Sequence, residues 1–335
     1  MKSKHLLIIP LILLGLPLTS CGETDQNKIT IAEVTHSLFY APMYVAKNAG
    51  FFDEVGLNID IITTPGADKV MASLLSKDAQ IGLMGPEATV YVYENGQENY
   101  AVNFAQLTQK DGSFLLGREK INNFSYDLLK GKTIIGGRKG GMPEMTLEYV
   151  LKKNGLTITQ NGADKNADVN IRTDVSFDAT SGVFVAGESD YVTAFEPTAS
   201  QIEKSGKGFI VSSIGEDSGI VPYTCFSSLK SYFNDNEEQL VKFTKAIKKG
   251  LDYVNSHQAE ELVDYLSKSF TTSNKEEIIS VINNYKAIDA WPNKLGFSQD
   301  NFNTLINIVK EAGELNNEVT VPYDKLVTNK IIENV

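Results

Sequence analysis

Residues 28–94 read KITIAEVTHSLFYAPMYVAKNAGFFDEVGLNIDIITTPGADKVMASLLSKDAQIGLMGPEATVYVYE, and their periodicities decide the fold. Residues 28–34 alternate apolar and polar around Ile29 and Ile31, the period-two pattern of a strand. Residues 42–49 read as a helix closed by Gly50. The β-branched run 57–63 is a second strand, and residues 68–76 carry Val70, Met71, Leu74 and Leu75 at helical spacing. Residues 80–84 form a short buried strand and 87–94 a helix. Parallel strands can be joined only by a crossover, so this alternation demands a mainly parallel sheet with helices on both faces. The fold class is α/β.

Working outward, a second unit of the same kind starts near Asp127. Residues 133–136 form a strand, a glycine-rich turn follows, and 143–154 form a helix with Gly155 just past its end. Residues 169–172, 191–195 and 208–212 supply further strands. After Pro222 the character changes: residues 237–256 place Leu240, Phe243, Ile247, Leu251 and Val254 on one helical stripe, and 259–267, 275–285 and 299–312 are also helical. A block of helices this thin has no sheet of its own, so it is expected to return to the first unit. The expected division is 28–115 plus 225–335 for lobe one and 116–224 for lobe two, with hinges where the chain crosses near 114–117 and 221–225.

Composition agrees with two domains. The chain has 335 residues, and 31 Lys and Arg against 42 Asp and Glu give a net charge of −11. That acidity argues against nucleic acid as a partner, since its binders show a basic stripe. Residues 1–20 read as a signal peptide: Lys2 and Lys4, then an apolar run from Leu6 to Leu18 that is too short to span a bilayer. The run ends on Leu18-Thr19-Ser20-Cys21, which looks like a lipobox, so Cys21 is expected to become a lipidated first residue on a polar linker, 21–27. Removing two lysines with the leader takes the charge to −13. Cys225 then has no partner for a disulfide and reads as a packed hydrophobe.

Catalytic motifs fail on inspection. Gly131-Lys132-Thr133 lacks the glycine that a phosphate loop needs at position 126, which is Tyr126. Asp164, Asn166 and Asp168 resemble a calcium loop, but Val169 and Val175 stand where Gly and Glu are required. His36, His257 and one free cysteine do not build a usual zinc site. What remains is loops beyond the carboxyl ends of strands, where open α/β sheets bind ligands. The first loop offers His36 and Tyr40, the second Gly66 and Asp68 (Asp68 also suits a helix cap), and the third Gly85, Pro86 and Glu87. The fourth offers Gly140, Gly141 and Met142 ahead of Pro143 at a helix start, and the fifth ends a strand on Glu196. Tyr223, in the second crossing, completes the set.

These loops carry a family resemblance. Tyr40-Ala41-Pro42 with Tyr44-Val45-Ala46 and Gly50-Phe51-Phe52, Gly66-Ala67-Asp68-Lys69-Val70-Met71, Gly85-Pro86-Glu87, Lys139-Gly140-Gly141-Met142-Pro143-Glu144 and Phe195-Glu196-Pro197-Thr198 together resemble substrate-binding lipoproteins of ABC importers. Within these the chain is similar to the group related to thiamine-pyrimidine synthase and to the nitrate, sulfonate and taurine binders, over residues 28 to about 330. The resemblance implies a two-lobed periplasmic-binding-protein fold of type II that closes on a small ligand. It further implies a monomer without cofactor or metal, anchored on the extracytoplasmic face of the cell membrane, serving an ABC permease and ATPase. The synthase branch uses a cysteine-rich motif that this chain, with Cys225 alone, does not match, so enzymatic turnover is not expected. Glu87 and Glu196 beside His36 and Tyr40 favour an amino-bearing heterocycle such as a thiamine pyrimidine precursor, because carboxylates accept from ring amines and repel a bare anion. The Gly140–Met142 helix start keeps sulfonate, taurine or nitrate as the alternative.

Overall fold

The computed structural model describes residues 27–176 and 179–335, so the leader, Cys21 and the linker up to residue 26 lie outside the described residues. Among these, eleven strands form two sheets: β1 (Lys28–Glu33), β2 (Asn58–Thr63), β3 (Ile81–Met84), β4 (Ala101–Thr108), β5 (Ser113–Gly117), β6 (Lys132–Ile135), β7 (Ile158–Gln160), β8 (Val169–Arg172), β9 (Tyr191–Phe195), β10 (Phe209–Ser213) and β11 (Thr224–Leu229). The first sheet runs β2-β1-β3-β11-β4 and the second β10-β5-β9-β6-β8-β7. In the first, β1 is parallel to β2 and β3, while β11 runs antiparallel to both its neighbours. In the second, β6 to β9 are parallel, β5 runs antiparallel to them, and β10, antiparallel to β5 at the edge, returns to their direction.

Strands β4 and β11 escape an apolar reading because they are laced with Asn103, Gln106, Ser227 and Ser228, all of them buried. Asn103 and Ser227 are satisfied internally: Asn103 Nδ2 donates to Thr89 (2.8 Å) and to the Leu326 carbonyl (3.0 Å), and Ser227 donates to Asn103 Oδ1 (2.7 Å). Satisfied in this way, buried polar groups specify register at little cost.

The chain crosses between sheets earlier than the sequence suggested. Ser113–Gly117 pairs with Tyr191–Phe195 in the second sheet, so the first crossing is residues 109–112 and not 114–117. Thr224 already pairs with Thr108 in the first sheet, so the return crossing ends at Tyr223. The two crossings run side by side, with Val221 N–H donating to the Gln109 carbonyl (3.0 Å) and Tyr223 N–H to that of Thr108 (3.1 Å).

The carboxyl-terminal helices pack against the first sheet's own helices. Leu240, Phe243, Ile247, Leu251 and Val254 of the helix Glu237–Ser256 are fully buried, and this helix lies on the helix Ala41–Asn48. The two touch at Gly250: a Cβ there would stand 2.2 Å from the Pro42 carbonyl oxygen and 2.8 Å from Ala46 Cβ. Only glycine permits that approach. Lys275–Ala287, in the same block, reaches the second lobe through Asn284 and Tyr285.

Candidate functional site

The loops named from the sequence meet where the lobes face each other, but they divide into three groups with different work. The central group is a cluster of buried polar side chains. Glu87 opens the helix Glu87–Glu94 directly after β3 and Pro86. Its carboxylate folds back over Gly85, where a Cβ would lie 2.0 Å from Glu87 Oε2, so Gly85 is required for this pose. The N–H groups of Glu87, Ala88 and Met142 approach the carboxylate, the last from the first turn of the helix Met142–Lys153 in the other lobe. Oε2 nonetheless makes no hydrogen bond, and burial pushes the carboxyl up to about 7. The position that two helix N-termini would offer an anion is thus filled by a side chain of the protein itself.

Tyr40 and Tyr223 belong to the same buried cluster, 3% and 4% exposed, and both feel the charge of Glu87. Burial raises both phenols, and the Tyr223 hydroxyl, which makes no hydrogen bond, also feels the charges of Asp111 and Glu87. Phe39 backs them, with its ring 5.7 Å from Tyr40, 6.0 Å from Tyr223 and 5.9 Å from Phe195 of the other lobe. Asp111 is the residue that sequence reasoning missed. It sits fully buried in the first crossing, its Oδ1 accepts from Ser113 N–H (2.7 Å), and burial pushes its carboxyl up to about 7. No local signal marked it, since Asp111 stands in the polar run Thr108-Gln109-Lys110-Asp111-Gly112-Ser113, which reads as a turn.

The second group clasps the lobes together around this cluster. Asp68 does not cap its helix: Gly66, at φ 102°, holds the N-cap position, and Asp68 turns to Arg138 of the other lobe at 3.6 Å. The expectation of a cap fails because the cross-lobe cation takes the carboxylate. Tyr91 donates to the Gly140 carbonyl (3.1 Å), Lys139 faces Glu314 (3.6 Å), and Gly141 N-caps the helix that begins at Met142. Glu196 belongs here too, although it was expected to be free for a ligand. Its oxygens accept from Ser200 N–H (3.0 Å), Ser200 Oγ (2.7 Å) and Asn284 Nδ2 (2.6 Å), which anchors the helix Thr198–Lys204 and ties it to the other lobe. A separate groove of about 540 Å³ runs past Ser200 and Asn284, and none of the candidate residues lines it.

His36 forms the third group, away from the cluster. Its Nδ1 lies 3.1 Å from Oε1 of the buried Glu33 and 2.7 Å from Tyr44 Oη, its Nε2 donates to the Ser269 carbonyl (3.1 Å), and its ring stacks on Phe270. The hydrogen bond with Glu33 raises the imidazole's pKa. His36 therefore bolts β1 to the carboxyl-terminal helices. His36→Ala is expected to cost about 1–2 kcal/mol of stability, by leaving Glu33 short of a partner, without changing ligand affinity; denaturant melts and titrations on the same preparation check both halves.

Among the described residues no cluster of His, Cys, Asp or Glu suits a metal ion, and no helix is long and apolar enough to cross a membrane. Cys225 is fully buried on β11, a packed thiol.

Comparison with known proteins follows the same lines. Residues 39–261 match the family model described as NMT1/THI5 like. The chain is 42% identical to the protein YtlA of Bacillus subtilis (strain 168) over 325 residues, 97% of this chain and 95% of that one. In fold it is similar to the alkanesulfonate-binding protein SsuA of Xanthomonas axonopodis pv. citri, solved with bound MOPS (TM-score 0.69, 14% identity, 90% of this chain and 98% of the other). It is similar also to the periplasmic nitrate-binding protein NrtA of Synechocystis PCC 6803 (TM-score 0.61, 16% identity, 76% and 70%). With two α/β lobes joined by paired crossings in the periplasmic-binding-protein fold, the chain belongs to the NMT1/THI5-like family.

Proposed function

We propose that this protein is the solute-binding component of an ABC importer and that its ligand is a small planar heterocycle bearing an amine, of the kind that thiamine pyrimidine precursors represent. One observation carries the choice of ligand. Glu87, 2% exposed and at the meeting of two helix N-termini, keeps an oxygen with no hydrogen bond. A bound amine would favour the ionised form of this carboxyl, which only accepts, so the group that completes it brings an N–H. Tyr40, Phe39 and Tyr223 supply aromatic surface on which a flat ring can rest.

The relatives support the transport role. The fold is shared with sulfonate and nitrate binders, and no catalytic constellation is legible in the sequence. Delivery without turnover is the reading, with Cys21 as the lipidated residue that holds the protein at the extracytoplasmic face of the membrane. Sulfonate, taurine or nitrate is the second reading, favoured by the N–H of Met142 at its helix start. Against it, an anion bound at this cluster would have to share that N–H with the Glu87 carboxylate.

Calorimetric titration decides between them. An aminopyrimidine such as 4-amino-5-hydroxymethyl-2-methylpyrimidine is expected to bind and to be recovered unchanged, while ethanesulfonate and nitrate do not bind. Glu87→Gln is expected to weaken the aminopyrimidine at least tenfold, roughly 1.4 kcal/mol. Binding of the anions with no binding of the amine would reverse the assignment, and appearance of a product would make the protein an enzyme.

A further inference from the structure

Glu87 uses one acceptor of the cluster, and the crossing itself supplies more. Thr108 Oγ1, Asp111 Oδ2, Ser113 Oγ and Tyr223 Oη all make no hydrogen bond. The first three belong to fully buried residues, and Tyr223 is 4% exposed. Native proteins leave few buried polar atoms unpaired, so four on two adjacent segments mark a place that another molecule completes. Asp111 is held in position for this. Its Oδ1 accepts from Ser113 N–H at 2.7 Å, which fixes the plane of the carboxylate and leaves Oδ2 among the hydroxyls of Ser113, Tyr223 and Thr146.

Tyr223 feels the charges of both Asp111 and Glu87, which puts this phenol within electrostatic reach of the two buried carboxylates. Hydroxyls adapt, donating or accepting as required, but two carboxylates set a fixed demand for donors. A ligand with one N–H group satisfies Glu87 and leaves the Oδ2 of Asp111 buried without a hydrogen bond, which disfavours it. Resting on the amine-binding reading above, we propose that Asp111 is a second ligand-binding residue and sets specificity: the preferred ligand presents N–H donors on two sides, as a diamino-heterocycle or a cyclic amidine does, one side to Glu87 and the other to Asp111. The position of Asp111, in the first crossing between the two sheets, means that such a ligand bonds to the crossing itself.

The experiment is calorimetric titration of the full chain with 2,4-diaminopyrimidine, 4-aminopyrimidine and ethanesulfonate, for the wild type, Asp111→Asn, Tyr223→Phe and Glu87→Gln. The wild type is expected to prefer the diamine over the monoamine at least tenfold. Asp111→Asn is expected to cut that preference below threefold while keeping the monoamine, and Glu87→Gln to weaken both amines. Should Asp111→Asn fail to fold, Tyr223→Phe, which removes the hydroxyl facing Asp111 and keeps the ring, is expected to lower the preference at least threefold. A preference unchanged in Asp111→Asn, or in Tyr223→Phe where the first variant is unfolded, overturns the role of Asp111. Loss of amine binding in Glu87→Gln would still leave the amine reading standing in that case. A wild type that binds ethanesulfonate, or neither amine, overturns both.

Discussion

The ligand-free protein is expected to lose stability as pH rises from about 4 to 8, and Glu87→Gln is expected to abolish a large part of that loss. Glu87 is raised from an ordinary 4.5 to about 7, with burial as the first cause and the N–H groups and Arg138 opposing it. A carboxylate raised on folding favours the protonated native state. Its contribution is therefore fully present below the unfolded value, is lost as pH climbs from about 4.5 to about 7, and stays lost above. A difference of this size corresponds to about 3 kcal/mol at pH 8. The comparison to make is the stability of Glu87→Gln minus that of the wild type, measured by urea melts at pH 4 and pH 8. It should grow by about 3 kcal/mol between the two. A constant difference would mean that Glu87 is solvated in the native protein and is no buried acceptor. Asp111, raised from 3.8 to about 7 mainly by burial, has the same sign and can be measured in the same way. An amine bound between them would restore both carboxylates to their charged forms, so the ligand should flatten the pH dependence.

Replacing Gly250 with valine is expected to destabilise the first lobe by about 3 kcal/mol, the upper end of ordinary overpacking. The Cβ alone would come within 2.2 Å of the Pro42 carbonyl oxygen, a backbone atom that cannot rotate away. The helix Glu237–Ser256 would have to separate from Ala41–Asn48, opening the contact that holds Phe243 and Ile247 against the core. Thermal melts of the purified variant test this, and a melting temperature within 2 °C of wild type, against the roughly 2–4 °C per kcal/mol usual at this size, would show that the helix pair relaxes freely. The propensity gain of valine over glycine in a helix is small beside this clash.

Much of the architecture was legible because burial writes itself into periodicity. Strands such as 28–34 and 191–195 and the stripe Leu240 to Val254 are apolar at the spacing their structure requires. The first crossing was placed too late because the apolar run Phe114-Leu115-Leu116 carries no local mark of the sheet it joins, and β11 was missed because it is buried yet polar: Thr224, Ser227 and Ser228 read as loop residues until their partners are known. The site divided in the same way. Gly85-Pro86-Glu87 announced a carboxylate at a helix start, which local sequence controls entirely. Glu196 and His36 looked equally available, yet each is consumed by partners 88 and 233 residues away, Asn284 and the Ser269 carbonyl.

The amino-acid sequence by itself determined the α/β class, the parallel pairing within each lobe and the helix starts that carry Glu87 and Met142, since these depend on neighbours within one or two turns of chain. Only the tertiary structure decided which carboxylates are spent on holding the lobes together and which face inward without a partner. Asp111 and Glu87 become acceptors at one site only when the crossing and the first sheet fold against each other, because burial, the origin of their raised pKa values, belongs to the assembled protein and to no segment of it.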